Sequence, residues 1–498
     1  MAAASASASS KRKDGAKIAI MWFRRDLRII DNTALEEAIR THDQILPLFV
    51  FTPTQISEKK NEYKSNKSVQ FMIESLLDLE ASIERVGKKG ASLLCVYGEP
   101  ETVIPRLAHS IGASAVYFNA DYTPYSKKRD EAVTRALTAL DISTNVSHDV
   151  CLTIPGSITT GGKSYQKYTP FYMRVMAIKE KIPRPVGAHR SVSFIPLDEI
   201  GVGGTGTGTG MGAAKKDRVI LREAYTEFTV PSGEILVNGG RENGEKALSA
   251  VRGFKTYGDT RNNLSVPTTQ LSAYLKYGCV SVREAYWHIA RLFGLDHDLI
   301  RQLVWRDFYI HLLDAFPHVI GHALKPAYDG IQWRRNKAWL DAWKEGRTGF
   351  PIVDAGMRQL AMTGFMHNRA RMITASFLIK TLLIDWREGE KHFAQSLVDY
   401  DPAANNGNWQ WVAGTGADSQ PYFRVFNPWL QGEKHDADAE YMRQWVPELR
   451  DIDVRDIHRW HRDDVREKYA EKTEYPAPIV VFEEQRTAVL EMYKKALQ

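Results

Sequence analysis

The stretch 399–411, DYDPAANNGNWQW, sets an amide and two indoles at spacings that matter on a helix. Asn405 and Trp409 are four residues apart and share a face, whereas Trp411 points elsewhere. One segment can therefore aim an amide and an indole at a bound cofactor while a second indole faces a different cavity. Packed aromatics alone would give the same two tryptophans. The neighbouring text argues for more. TGFMHNRARMITASFLIK (363–380) and IDWREGE (384–390) precede it and PYFRVFNPWLQGEK (421–434) follows, all with Arg, Asn, His and Trp on otherwise apolar frames.

A second stretch, YGDTRNNLSVPTTQLSAYL (257–275), places hydroxyls and backbone amides just before a helix, with Pro267 shaping the turn. Free N–H groups and the helix dipole make such a terminus, here with Thr268, Thr269 and Ser272, a site for phosphate. The same residues also serve as ordinary caps. The run GVGGTGTGTGMG (201–212) contains GxG triplets, but no strand precedes it, so it is read as a flexible connector and not as a dinucleotide fingerprint.

The elements that must carry these residues follow from the periodicity. With 498 residues the chain holds two or more domains, and 43% hydrophobic with 25% charged residues is an ordinary globular composition. A net charge of +6 permits an anionic partner. The three cysteines, Cys95, Cys151 and Cys279, are scattered, which suggests neither disulfides nor zinc and fits a reducing intracellular compartment, nuclear or cytoplasmic. No apolar run reaches the roughly 18 residues of a membrane span. Residues 1–16 read as a disordered basic tail. From 17 to 150 the runs KIAIMWF, ILPLFVF, SLLCVYG, SAVYFNA and STNVSHDV alternate with helical stretches, which predicts a parallel, doubly wound, five-stranded sheet. Residues 151–225, punctuated by prolines and the Gly/Thr run, read as an interdomain linker. From 226 to 498 amphipathic patterns recur with no β-rich stretch, as in LIRQLVWRDFYIHLLDAF and VDAGMRQLAMTG, which predicts an all-α domain.

Taken together these strings resemble the cryptochrome/photolyase family, and most of all its class I cyclobutane pyrimidine dimer (CPD) photolyases. The resemblance is dense from about 254 to 485 and looser over 17–150. It implies an α/β antenna-type domain joined by a long crossing linker to a large helical domain that holds FAD in a U shape, with the reduced anionic form active, and that binds DNA. By resemblance, Tyr257, Thr268, Thr269, Gln270, Leu271 and Ser272 contact the flavin nucleotide. Arg371 and Asp399 form a buried pair beside the isoalloxazine, where a positive charge favours the anionic reduced form. Asp401 is a further carboxylate on the cofactor side. Asn405 faces flavin N5, a place where plant cryptochromes carry Asp; a neutral amide can donate or accept there.

Of the 12 tryptophans, Trp409, Trp386 and Trp333 match the family's electron relay from flavin to surface, in that order outward. Charged neighbours of Trp386 and Trp333 suit an exit to water. Trp305 and Trp411 match the aromatic walls of the pocket for a flipped-out dimer, Asn368 and Met372 its polar and soft apolar contacts, and Arg261, Arg369 and Gln431 its DNA-facing positions. The (6-4) photolyases have histidines where this chain has Asn368 and Met372. One departure stands out: Gln302 occupies the position of a glutamate that hydrogen-bonds the pyrimidine in CPD photolyases, and it has no proton to lend. The folate-contacting residues of the family are not matched, Ser126 standing where a glutamate is used, so a deazaflavin, a flavin or no antenna chromophore stays open.

Two functions follow. The first is a light-driven carbon–carbon lyase, a monomer acting on pyrimidine dimers in DNA without metal. The second is a blue-light receptor signalling through flavin photoreduction. Asn405, Trp305, Trp411 and Met372 favour the first, as does the absence of a long extension after the helical domain, while Gln302 keeps the second in view.

Overall fold

The computed structural model describes residues 15–200, 217–230 and 235–497. Most of the expected basic tail (1–16) and the whole Gly/Thr run lie outside the described residues.

Five strands form one parallel sheet in the order β3-β2-β1-β4-β5: β1 Ile18–Phe23, β2 Gln44–Phe51, β3 Leu94–Tyr97, β4 Ala115–Asn119 and β5 Ser143–Ser147. Helices cover both faces, so the central strands are apolar on both sides and read as unbroken hydrophobic runs. Ala19, Met21 and Phe23 point into a large core, whereas Ile18, Ile20 and Trp22 point the other way, against the helices Pro100–Ile111 and Pro124–Thr138.

The large core does not stop at the sheet. It takes in the helix Asn66–Val86, part of the 151–225 segment, and the helices Ser272–Tyr277, Val282–Phe293 and Asp298–Ala315. A second core joins the helices Pro351–Thr363, Asn368–Lys380, Trp386–Ser396 and Pro402–Ala413 with those near the C-terminus. The expected α/β half and helical remainder are both present.

The described parts of the 151–225 segment, 151–200 and 217–225, are more ordered than their prolines suggest. They include a nine-residue helix, Tyr168–Met176, with Pro170 tolerated in the first turn. Phe171, Val175, Phe194 and Leu197 are buried. Leu197 N–H donates to Gly90 C=O at 3.1 Å, and further along Tyr97 N–H donates to Asp217 C=O at 2.8 Å and Val219 N–H to Cys95 C=O at 2.9 Å.

Sheet and helical part are joined by buried charge. Arg28 pairs with Asp149 at 2.6 Å, and Arg283 of the helical part pairs with Asp149 at 2.7 Å and Asp31 at 3.1 Å. Burial alone would raise the Asp149 carboxyl, but the two guanidiniums outweigh it and hold the group well below the usual carboxylate range. Among the described residues no helix is long and apolar enough to cross a membrane.

Candidate functional site

Four helices bring the predicted residues together. Asp298–Ala315 carries Gln302 and Trp305; Asn368–Lys380 carries Asn368, Arg369, Arg371 and Met372; Trp386–Ser396 begins at Trp386; and Pro402–Ala413 carries Asn405, Trp409 and Trp411. Two glycines allow the close approach. A β-carbon at Gly407 would lie 2.1 Å from the Tyr309 ring, and one at Gly389 would lie 2.1 Å from the Trp409 indole. The first contact locks the Trp305 helix onto the Asn405 helix, and the second seats Trp409 against the helix of Trp386.

The helix Pro402–Ala413 starts as the sequence indicates, with Pro at its first position and Asp401 as N-cap accepting from Ala404 N–H at 3.0 Å. Asn405 and Trp409 share its buried face, and Trp411 is half-buried on another. Asn405 Nδ2 donates to the Glu390 carbonyl at 3.0 Å, which fixes the amide and leaves Oδ1, an acceptor, for a ligand. Glu390 is itself buried. Burial pushes its carboxyl up to about 7 against the hydrogen bond from Asn406 Nδ2 at 3.1 Å.

Asp399 is held from two sides. Arg371 reaches it with both terminal nitrogens, at 2.9 and 3.2 Å, and Ser272 Oγ donates to it at 2.6 Å. The fork also donates to Met366 C=O at 2.8 Å, so Arg371 is fixed in one orientation. Ser272 ties this pair to the predicted phosphate segment. Thr268, Thr269 and Gln270 are half-buried and run into the six-residue helix Ser272–Tyr277, whose N-terminus has no side-chain cap. Gln270 takes a positive φ of 53°, and Leu271 is buried beneath it. Tyr257 is half-buried in a one-turn helix, Tyr257–Thr260.

Asp401 is engaged differently from the expectation of a cofactor-side carboxylate. It forms an ion pair with Arg25, which follows β1 and also reaches Asp121 at 3.3 Å. Burial works against the Asp401 charge, but Arg25 and Arg306 outweigh it and keep the carboxyl below its ordinary value.

Of the three tryptophans predicted to form a relay, Trp409 and Trp386 are both buried, at 2% and 1%, and Trp333 is half-buried. Trp386 departs from the sequence expectation of a ring near water. The indole is buried, with Asp385 capping the helix and the Arg387 guanidinium lying over the ring at 4.7 Å while it also bonds Asp329 at 2.7 Å. Trp333 meets Tyr493 edge-on at 6.0 Å.

On the predicted DNA side Asn368 is exposed, and its Nδ2 lies 3.8 Å from Met372 Sδ. Arg369 donates to Asn262 Oδ1, not to a carboxylate. Burial lowers the Arg369 guanidinium pKa, and Arg261 and Arg424 add to the effect. Among the described residues none of Arg261, Arg369 and Arg424 has a carboxylate partner. Several buried polar atoms are also unpaired: Gln302 Nε2, Arg261 Nε, His367 Nε2 and Gln431 Oε1. Left unpaired, these atoms offer donors and acceptors to a bound molecule. The Arg371 fork, the uncapped Ser272–Tyr277 terminus and these atoms suit an anionic, hydrogen-bonding cofactor with DNA beside it.

Two matching family models cover most of the chain: "DNA photolyase" over residues 19–187 and "FAD binding domain of DNA photolyase" over 299–495. A deoxyribodipyrimidine photo-lyase of Halobacterium salinarum is 36% identical, over 96% of this chain and 99% of its own. The chain belongs to the DNA photolyase family. Among solved photolyase-family structures, the Sulfolobus tokodaii photolyase, described with two FAD molecules and a novel light-harvesting cofactor, is 36% identical with TM-score 0.81, covering 96% of this chain and all of its own. A Synechocystis cryptochrome is 27% identical with TM-score 0.84, covering 96% of this chain and 99% of its own.

Within this photolyase frame four contributors were not singled out from sequence: Arg25, Tyr168, Glu390 and Arg424. Arg424 sits in the quoted string PYFRVF, where its lack of a counter-charge is invisible. Arg25 and Tyr168 meet Asp401 and Trp305 far away in sequence, and Glu390 closes the quoted string IDWREGE, where its burial is invisible. Ser126, at the place of a folate-binding glutamate, is buried and accepts from Thr123 Oγ1 at 2.8 Å, as part of a helix cap.

Proposed function

We propose that this protein repairs cyclobutane pyrimidine dimers in DNA by light-driven electron transfer. The observation that carries the reading is the group Arg261, Arg369 and Arg424, three cations without counter-charges beside Asn368 and Met372. A phosphate backbone supplies the missing charge. Trp305 and Trp411 form the walls against which the flipped-out bases stack, and Asn368, Met372 and Gln302 meet their edges. Gln431 and Arg261 hold the strand at the rim.

FAD, when bound, reduced and excited by blue light, supplies one electron to the dimer and recovers it once the ring has split. The chain's part is to hold that cofactor and tune its surroundings. Thr268, Thr269, Gln270, Leu271 and Ser272, with Tyr257, take the phosphates and ribose. Arg371 places positive charge beside the ring and Asp399 keeps Arg371 from being an unpaired buried cation. Asn405 offers a fixed acceptor at N5. Trp409, Trp386 and Trp333 would form the path by which an electron from an external reductant reaches the bound flavin to restore its reduced state. Gln302 can donate and accept to the dimer but transfers no proton, so it stabilises the charged dimer less than a carboxylic acid would. A second, antenna chromophore fits the α/β half in principle, its chemical class being open.

The test is illumination of the purified, flavin-reduced protein with an oligonucleotide containing one cyclobutane thymine dimer, following recovery of thymine absorbance against a dark control. Many turnovers per protein in light and none in the dark are expected. A dimer that persists while the bound FAD still photoreduces would move the assignment to a blue-light receptor.

A further inference from the structure

Among the aromatic ring pairs of the described residues, the tightest joins the 151–225 segment to the predicted dimer pocket. Tyr168 lies flat on Trp305, with ring centroids 3.5 Å apart and planes 5° from parallel. Its hydroxyl donates to Arg301 C=O at 2.9 Å, one helical turn before Trp305. The tyrosine is therefore registered to the same helix whose indole it covers. Phe308 meets the Tyr168 ring edge-on at 5.7 Å, and Tyr309 leans on Trp305 at 5.6 Å. Two residues earlier, Gln166 C=O accepts from Asp418 N–H at 2.8 Å, in the loop that follows the helix of Trp411. Residues 166–168 thus touch the supports of both aromatic walls.

We propose that Tyr168 is a positioning residue that fixes which face of Trp305 meets the flipped-out dimer, and so sets discrimination between damaged and undamaged DNA. This rests on the dimer-repair reading above. An indole on a half-buried helix face has a broad choice of ring angle. A coplanar ring at van der Waals distance removes that choice before DNA arrives and covers one indole face. The ordering cost is then met on folding, not on binding. The hydroxyl contact only anchors the tyrosine, so the ring is what the role requires.

The test compares FAD-loaded wild type with Tyr168→Phe, Tyr168→Ala and Tyr168→Leu. Dark binding to a dimer-containing and an undamaged oligonucleotide is measured at two salt concentrations. Tyr168→Ala and Tyr168→Leu should lower the damaged-to-undamaged affinity ratio by about fivefold to tenfold, the scale of an aromatic pair. Undamaged binding, salt slope and FAD content should stay as in wild type, and Tyr168→Phe should stay within about twofold of it. The leucine variant keeps most of the buried volume, so a folding defect of the alanine variant does not decide the matter.

Near-ultraviolet circular dichroism reads the stack without DNA: Tyr168→Ala and Trp305→Phe should lose the same band. An unchanged ratio in both shortened variants overturns the proposal. So does a loss in Tyr168→Phe as large as in Tyr168→Ala, or the absence of a shared band. A wild type that shows the band but does not discriminate dimers overturns the dimer-repair reading instead, and the positioning role with it.

Discussion

Arg25, at the end of the first strand, is ion-paired to Asp401, the residue that caps the helix bearing Asn405 and Trp409. The sheet half therefore holds the start of the helix from which the predicted flavin-facing amide projects. Replacing Arg25 by Gln leaves the mostly buried Asp401 and Asp121 without their direct ion-pair partner, with only the more distant Arg306 beside the first and Arg129 and Arg24 beside the second. That should cost about 3 kcal/mol at neutral pH in urea unfolding. The pH dependence checks the cause. The Asp401 carboxyl is lowered in the fold, so its contribution is complete above the unfolded value of roughly 3.9 and is lost as pH falls below it. The gap between wild type and Arg25→Gln should thus narrow in acid; a gap that is constant with pH would assign the loss to packing.

Glu390 predicts the opposite slope. Burial raises its carboxyl to about 7, so between about 4.5 and 7 the folded chain keeps a proton that the unfolded chain releases. Stability from this group falls as pH rises through that window and is level above it. Glu390→Gln keeps an acceptor for Asn406 and removes the titration. It should gain on wild type across the window, to a limit of about 3 kcal/mol. Parallel stability curves from pH 4.5 to 7.5 would refute the assignment.

Arg369→Ala should weaken binding to damaged and undamaged DNA alike. The slope of log affinity against log salt should become shallower by about 1, since one phosphate contact is lost. A loss confined to damaged DNA would place Arg369 on the bases instead.

Gln302→Glu restores a group that can share a proton with the reduced dimer. The quantum yield of repair should rise while affinity for the dimer changes by less than about threefold. An equal or lower yield would mean that the unpaired Nε2 is itself the group the dimer uses.

Much of this was legible in the sequence. Strands β1 to β4, buried on one or both faces, announce themselves as short apolar runs, and the DYDPAANNGNWQW spacing correctly puts Asn405 and Trp409 on one buried face. The Tyr168–Met176 helix was hidden because its proline reads as a breaker, although Pro is harmless in a first turn. Trp386 is buried although charge flanks it, because the Arg387 guanidinium lies over the indole at 4.7 Å and keeps its charge paired with Asp329, so a neighbouring charge does not by itself mean an exposed ring. Asp401 found its partner 376 residues away, a distance at which no periodicity carries information. Tyr168 on Trp305 is of the same kind, a contact within one core between residues far apart in the sequence.

The hydrogen bonds from Leu197 to Gly90 on one side, and between Asp217, Val219 and the third strand on the other, anchor both ends of the segment 201–216 close to one edge of the sheet. Because the cost of bringing two anchored ends together grows only slowly with the length of chain between them, about 0.6 kcal/mol per doubling, codons gained or lost between these two anchors should carry little penalty. A reporter peptide or affinity tag inserted there should leave the helices around Trp305 and Asn405 where they are, and a chain cut there should hold together as two noncovalently joined pieces.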